Sequence, residues 1–444
     1  MKTKRNFLLL VIGMALLCTA ADRTVRAQSL RLSFGEAWDL AQKNNSDLRI
    51  AGMNLEKANA LIGEAISAAL PVIQATGFYQ RNFIIPEQPI EFGGQIMTIK
   101  FQQENLWNGG ITLQQPIYAA GRVGRALQIA KMYRQTTEEQ LKVTHAQVKL
   151  EITRLYFGAV VAGEWERVAQ ETFHQMQDQL ERARRMHQEG LVSEYDLIRS
   201  QVQVSNFYPQ VIASANSRKI SVEALNIALG LPRSQDLELT DGMEAYPTPT
   251  LPEDDYFAYA LQHRPEFRQL DLQENIQNKL YIIEKLGVWW PNLALVGGYT
   301  LSAQESDFQF DDYFWSKNLY GGISLSIPLF DGFKAKYRAE QVRVDRKILG
   351  IQRGLLEKGV NLEIVQARNK LEEAQKNIRA QEEGVALAQK GLSIAEVQYE
   401  NGLATQLELM DAQIALNQAK MNQINAKFEY ITALAELVKA LGEE

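Results

Sequence analysis

Gly190-Leu191-Val192-Ser193-Glu194-Tyr195-Asp196-Leu197 returns 212 residues later as Gly402-Leu403-Ala404-Thr405-Gln406-Leu407-Glu408-Leu409. The same offset relates Gly110-Ile111-Thr112-Leu113 to Gly322-Ile323-Ser324-Leu325, and Pro116 to Pro328. It also relates Leu150-Glu151-Ile152 to Leu362-Glu363-Ile364, and Ala228-Leu229-Gly230 to Ala440-Leu441-Gly442. Self-similarity of this length means two copies of one substructure. Each copy reads strand, strand, long helix, tight turn, helix. The copies are assigned to residues 28–232 and 253–444. Leu231-Pro232 leads into a connector over 233–252, which Pro247, Pro249 and Pro252 keep non-helical. A second helical start, Leu261-Gln262-His263-Arg264-Pro265-Glu266-Phe267-Arg268, echoes Ala41-Gln42-Lys43-Asn44-Asn45-Ser46-Asp47-Leu48-Arg49.

Ahead of the first copy, Lys2, Lys4 and Arg5 precede an apolar run over 7–17, and Val25-Arg26-Ala27 fits a signal-peptidase site. Residues 1–27 therefore read as a secretory signal, too short to serve as a mature membrane span. Cys18 is the only cysteine, and the Leu16-Leu17 before it suits lipidation poorly. Removal of this segment takes away five basic residues and one acid, and moves the net charge from −6 to −10. Such a chain repels phosphates, so nucleic acid is excluded as a partner. No mature stretch approaches the run of about 18 apolar residues that a spanning helix needs. Entry into a membrane as β-strands stays open.

Residues 33–69 read as a helix, capped by Ser33 with Glu36 at capping-box spacing and ended by Pro71. The period then changes to two. Ile73, Ala75, Gly77 and Tyr79 share one face, against Gln74, Thr76 and Gln80. Trp107, Gly109, Ile111 and Leu113 alternate with Asn108, Thr112 and Gln114. The second copy alternates through Leu293, Leu295, Gly297, Tyr299 and Leu301, and through Leu319, Gly321, Ile323, Leu325 and Ile327. Alternation over about 10 residues matches a barrel strand that crosses a bilayer. Phe78, Tyr79, Trp107, Trp289, Trp290, Phe314, Trp315 and Tyr320 flank the strands like interfacial girdles. The alternative, two half-buried hairpins of a soluble sheet, lacks a second sheet to bury them. Between the strands, Pro86-Glu87-Gln88-Pro89 and the acids Glu305, Asp307, Asp311 and Asp312 mark loops, in which the copies diverge most.

Proline-free helical stretches follow over 122–189 and 333–401. Leu141, Val148, Leu155, Ala162, Ala169, Met176 and Ala183 recur every seven residues in the first, and Leu371, Ile378, Val385, Leu392 and Tyr399 in the second. Each rod is roughly 100 Å long at 1.5 Å per residue. The narrow, alanine-rich seams suit a hollow ring of helices. Gly350, Gly354, Gly359, Gly384 and Gly391 weaken the second rod locally. Gly190 and Gly402 end the rods as C-caps. Ser193 and Thr405 start the returning helices, with Asp196 and Glu408 three residues on.

Four strands cannot close a barrel, for which about eight are the minimum, and an open edge in lipid leaves backbone groups unpaired. Two copies would give a filled eight-stranded barrel, and three a twelve-stranded barrel wide enough for a channel. The expected fold is mainly α: a long antiparallel coiled-coil α-barrel plus four β-strands per chain, completed as a 12-stranded transmembrane β-barrel in a trimer.

The doubled unit, the Leu231-Pro232 connector, the His263-Arg264-Pro265-Glu266 segment, the Gly-Leu-x-[Ser/Thr]-x-x-[Asp/Glu] tips and the Pro-[Leu/Ile]-[Phe/Tyr] strand ends together resemble TolC-type outer membrane efflux proteins, over nearly the whole mature chain. The resemblance implies a homotrimeric channel-tunnel in the outer membrane, extending into the periplasm. It also implies docking on a periplasmic adaptor and an inner-membrane transporter, for passive export of drugs, metals or proteins. By the same resemblance Glu408 and Asp411 fall where the family rings its periplasmic entrance with acids. Their i, i+3 spacing puts both on one helix face, and stacked carboxylate rings favour cations. Glu408 has a second reading as the capping-box partner of Thr405; Asp411 has no such role. Asp196 and Tyr399 fall where the family has an inter-helix latch, although Tyr399 also reads as heptad packing. Ala404 stands where well-known members carry a basic latch residue.

Nothing points to catalysis. His145, His174, His187 and His263 are dispersed without metal spacing and read as solvated helix or turn residues, and there is no phosphate loop. The reading calls for no cofactor and no metal, so energy must come from a partner. The rival readings are a periplasmic adaptor, which lacks lipid-facing strands, and a structural coiled-coil envelope protein, which lacks aromatic girdles.

Overall fold

The computed structural model describes residues 29–443 apart from 101, 234, 248–251, 253, 254, 287, 288, 309, 310 and 312. The expected signal segment, Cys18, Pro249 and Asp312 lie outside the described residues. In chain order the elements are β1 (Leu30–Leu32), α1 (Phe34–Asn44), α2 (Ser46–Ser67), β2 (Val72–Arg81), β3 (Glu87–Phe92), β4 (Gln95–Lys100), β5 (Asn105–Ala119), α3 (Arg122–Gln188) and α4 (Glu194–Ala228). Then come β6 (Leu237–Leu239), α5 (Tyr256–His263), α6 (Pro265–Leu286), β7 (Asn292–Glu305), β8 (Ser316–Ser326), α7 (Lys334–Glu400) and α8 (Gln406–Leu441). Two compact units cut across the sequence repeats. One holds the chain up to Ile50, Thr144–His263 and Val360 onward; the other holds Ala51–Val143 and Arg264–Gly359.

The second unit contains an antiparallel sheet in the order β2-β5-β7-β8. Register carries the period-two reading across all four strands. Ile73, Leu113, Gly297 and Gly321 form one row, and Ala75, Ile111, Tyr299 and Leu319 the next. The apolar sets of both copies therefore share one face, while Gln74, Thr76, Thr112, Thr300 and Asn318 share the other. The described residues leave the apolar face uncovered: Leu319 and Ile323 are 79% and 69% exposed. A register shift between Pro116 and Tyr118 bulges β5 next to the proline, which has no N–H for the ladder.

Two expectations need correction here. The first inter-strand loop is not free of structure, because β3 and β4 pair from Glu87↔Lys100 to Phe92↔Gln95. Gly93 and Gly94, at φ 67° and 82°, form the two-residue turn with both φ values positive that suits a hairpin's twist. The helix expected over 33–69 is two helices, and Asn45 is the break. Its backbone (φ −57°, ψ 131°) leaves the helical region. Its Oδ1 accepts from the N–H groups of Asp47 (2.9 Å) and Leu48 (3.2 Å) and so caps α2. Its Nδ2 donates to the Ala228 carbonyl at the end of α4, 2.9 Å away. Two short strands, β1 and β6, also pair in parallel within the first unit, at lengths too short for periodicity to reveal.

The first unit's core joins Leu32, Phe34 and Ala37 to Val148, Ile152, Tyr156 and Phe157 on α3, to Leu225 and Leu229 around the end of α4, and to Ile431 on α8. The fully buried Tyr156 hydroxyl donates to the Leu32 carbonyl (2.9 Å) and accepts from the Asp241 N–H (3.3 Å). Asp241 in turn accepts from the N–H of Phe34 (2.8 Å), which satisfies a free donor at the start of α1. Burial pushes the Tyr156 phenol from 10.0 up to about 12. Heptad positions Val148, Ala162, Ala169, Met176 and Ala183 of α3 and Leu371 and Leu392 of α7 are buried. Glu436 of α8 accepts from Arg154 of α3 (2.6 Å) and Lys370 of α7 (2.9 Å). Burial works to raise its pKa, but the two cations outweigh that and hold the carboxyl below its ordinary value.

Candidate functional site

The repeated octapeptides lie where α3 turns into α4 and α7 into α8. Gly190 and Gly402 take φ values of 74° and 69°, the left-handed region where glycine carries no Cβ penalty. The N–H of Gly190 donates to the His187 carbonyl (2.9 Å), and that of Leu191 to Met186 (2.8 Å). Gly402 donates to Tyr399 (3.0 Å) and Leu403 to Gln398 (2.8 Å). Both tips thus carry the paired bonds of the Schellman motif, which use up two orphan carbonyls of each rod.

The acids three residues after the caps of the returning helices, Asp196 and Glu408, differ by one methylene. In α8, the Glu408 N–H donates to Thr405 Oγ1 (3.3 Å), and Glu408 Oε2 accepts from the Thr405 N–H (2.7 Å) and hydroxyl (3.1 Å), a complete capping box. In α4, the Asp196 N–H donates to Ser193 Oγ (3.2 Å), and, among the described residues, the shorter Asp196 carboxylate accepts only from the Ser193 hydroxyl (2.6 Å). The Thr405 hydrogen bonds, the backbone one foremost, hold the Glu408 carboxyl below its usual value. Glu408 and Asp411 are both exposed. Among the described residues, Asp411 makes no hydrogen bond or ion pair.

Tyr399 is half-buried against Leu392, Ala395, Leu409 and Leu416. Burial, then the charge of Asp196, raises its pKa, while Arg182 pulls it down. The structure therefore brings Asp196 within electrostatic reach of Tyr399, while the hydrogen bond of its carboxylate goes to Ser193. Ala404 is half-buried at the same turn. Beside Tyr399 is a polar cavity of about 400 Å³ lined by Asp178, Arg182, Glu396, Tyr399, Gln406 and Gln413, among others.

Two tip residues were not singled out as sites by sequence reasoning. Buried Gln406 donates through Nε2 to the buried Ser200 hydroxyl and so ties α8 to α4, while its Oε1 has no partner among the described residues. Neither residue is matched in the other copy, which has Glu194 and Ala412 instead, so the repeat hides the contact. His187 is not simply solvated: its Nδ1 is 2.9 Å from the Val192 carbonyl, so that nitrogen carries the proton and donates. His187 is the repeat equivalent of Tyr399, a correspondence the 212-residue offset does reveal. Among the described residues, no three His, Cys, Asp or Glu side chains cluster so as to hold a metal ion, and no helix is long and apolar enough to cross a membrane.

The model of the family described as outer membrane efflux protein matches residues 37–231 and 258–443. Outer membrane protein TolC of Vibrio cholerae is 22% identical over 425 residues, which cover 92% of this chain and 90% of that protein. The solved open state of the Neisseria gonorrhoeae MtrE outer membrane channel superposes with a TM-score of 0.73 at 18% identity, covering 92% of this chain and 89% of that one. The Campylobacter jejuni CmeC outer membrane channel gives 0.72 at 18% identity, over 92% of this chain and 85% of that one.

Proposed function

Since the chain belongs to the outer membrane efflux protein family, we propose that three copies close its four-stranded sheet into one twelve-stranded barrel. The protein is an outer-membrane channel of a tripartite efflux system, reaching into the periplasm. The observation that carries the trimer is the sheet. Its apolar residues share one face, and the edge strands Val72–Arg81 and Ser316–Ser326 are exposed at every residue. In lipid each such edge must pair, and joining β2 of one copy to β8 of the next satisfies both. The polar face then lines a wet lumen.

The tips form the entrance. Glu408 and Asp411 from three chains make two acidic rings that prefer cations. Asp196 and Tyr399 act as a latch between hairpins, which Gly190 and Gly402 position. A periplasmic adaptor docks there, and an inner-membrane transporter supplies the energy.

The test is cross-linking. The mature sequence has no cysteine, so single cysteines placed along β2 and along β8 report only the intended contact. Oxidation in detergent or lipid should give a ladder that ends at three chains. A ladder that never passes the monomer overturns the ring.

A further inference from the structure

At the helix-bearing end of the sheet, the second copy leaves an apolar groove open. Trp289, Leu329, Phe330 and Phe333 wall a cavity of about 280 Å³, which Lys285 and Lys336 also line. Trp289, Leu329 and Phe330 are 71%, 78% and 72% exposed, so none of the described residues covers the groove. The Lys336 ammonium is 5.9 Å from the Phe333 ring and 5.8 Å from the Tyr337 ring, held over aromatic faces and not by an acid. Among the described residues, neither Lys285 nor Lys336 pairs with a carboxylate. Nearby acids are engaged elsewhere: Asp331 accepts from the Ala335 N–H (2.8 Å), and Glu284 pairs with Arg338 (3.7 Å). Phe333 adopts φ 66°, an unfavourable conformation for an aromatic residue, and its ring packs edge-on against Phe330 at 5.3 Å. The first copy does not repeat the groove, because Gly121 and Gly124 occupy the positions of Phe333 and Lys336.

The placement identifies the occupant. The segments over 82–104 and 306–315 join strands at one end of the sheet, and α2, α3, α6 and α7 attach at the other. In an outer-membrane barrel the longer loops face outward, so the helix end meets the periplasmic leaflet. A leaflet presents acyl chains next to anionic headgroups, the chemistry that matches an apolar groove with two unpaired ammonium groups. Aromatic rings with lysines beside them are also the side chains that anchor a protein at this depth.

We propose that the groove bounded by Trp289, Phe330 and Phe333 binds an acidic phospholipid of the periplasmic leaflet, with its phosphate held by Lys285 and Lys336. The inference rests on the outer-membrane channel reading. The test uses the full mature protein in nanodiscs of phosphatidylcholine with a minor fraction of phosphatidylglycerol, followed by native mass measurement of the lipids that stay bound. Each lysine near an anionic group favours it by roughly five-fold, so the parent should retain phosphatidylglycerol well above its bulk fraction. K285Q/K336Q should lose that enrichment, and K285R/K336R should keep it, with conductance unchanged in both. No enrichment in the parent, or full enrichment in the glutamine variant, overturns the lipid site and leaves the channel standing. Failure of every variant to enter the disc would overturn the channel reading and this site with it.

Discussion

Glu408 is held by Thr405 from two directions: its Oε2 is 2.7 Å from the Thr405 backbone N–H, and its own N–H is 3.3 Å from Thr405 Oγ1. The same carboxylate is thus helix cap and charge at the proposed entrance, and one substitution separates the roles. Glutamine also serves at the third position of a capping box. Glu408→Gln should therefore leave α8 capped while removing one acidic ring. With Asp411→Asn added, reconstituted channels should lose cation preference and block by multivalent cations, while thermal stability falls only by the small contribution of the ionised cap. An unchanged reversal potential would remove both residues from the selectivity argument.

Acid should act on the same pair. The Glu408 pKa is lowered in the fold, so its stabilising contribution is complete above the unfolded value of 4.5 and fades as pH falls through the folded value. The protection of the Thr405 and Glu408 amides, taken relative to the intrinsic exchange rate at each pH, should fall as pH drops through that range in the parent. In Glu408→Gln protection should not depend on this titration; an equal loss of protection in both would assign the effect to another group.

Tyr399→Phe is the cleaner probe of the latch, because Asp196 also serves the Ser193 cap. Removing the hydroxyl leaves the packing against Leu392 and Leu409 intact. The variant should raise single-channel conductance, and Asp196→Ala added to it should contribute little more, as expected for two members of one interaction. Parental conductance in both would show that other contacts, such as Gln406 with Ser200, keep the hairpins together.

Glycines with matching φ should respond unequally. Among the described residues, a Cβ on Gly190 or Gly402 would meet nothing within 4 Å, whereas on Gly230 it would sit 2.6 Å from the Asn44 carbonyl oxygen. Alanine at either tip should cost only the left-handed penalty of about 1–2 kcal/mol. Gly230→Ala adds a backbone clash of about 1–3 kcal/mol and should displace the segment around Asn45. Equal shifts in the thermal midpoint across the three variants would contradict this ordering.

Alkaline pH tests the first unit's core. The folded Tyr156 pKa is raised from 10.0 to about 12, so the neutral phenol is the form the fold prefers. Its contribution is complete below pH 10.0 and lost as pH rises toward about 12. Tyr156→Phe leaves the Leu32 carbonyl and the Asp241 N–H without this partner, at about 1–3 kcal/mol, and should flatten the alkaline loss. Tyr246 and Tyr399, also pushed up by burial, and Tyr259, pushed up by its hydrogen bond to Glu443, contribute to the remaining slope. Parallel loss of stability in parent and variant would point to a different titrating group.

Much of this architecture is written locally. A left-handed turn demands glycine, so Gly190 and Gly402 announce the tips, and a strand with two different faces shows its alternation without help from neighbours. The repeat adds the order of elements, and the family resemblance adds the expected job. What tertiary structure alone decided depends on partners far along the chain. Asn45 breaks a helix that local periodicity would continue because its amide meets Ala228, 183 residues away. Strand order and register put both copies' apolar residues on one face, a matter of pairing that no single strand encodes. Whether a tip carboxylate caps, latches or faces solvent was equally open in the sequence. Glu408 and Asp196 share a repeat position, and one methylene of reach separates a closed capping box from a carboxylate within reach of Tyr399.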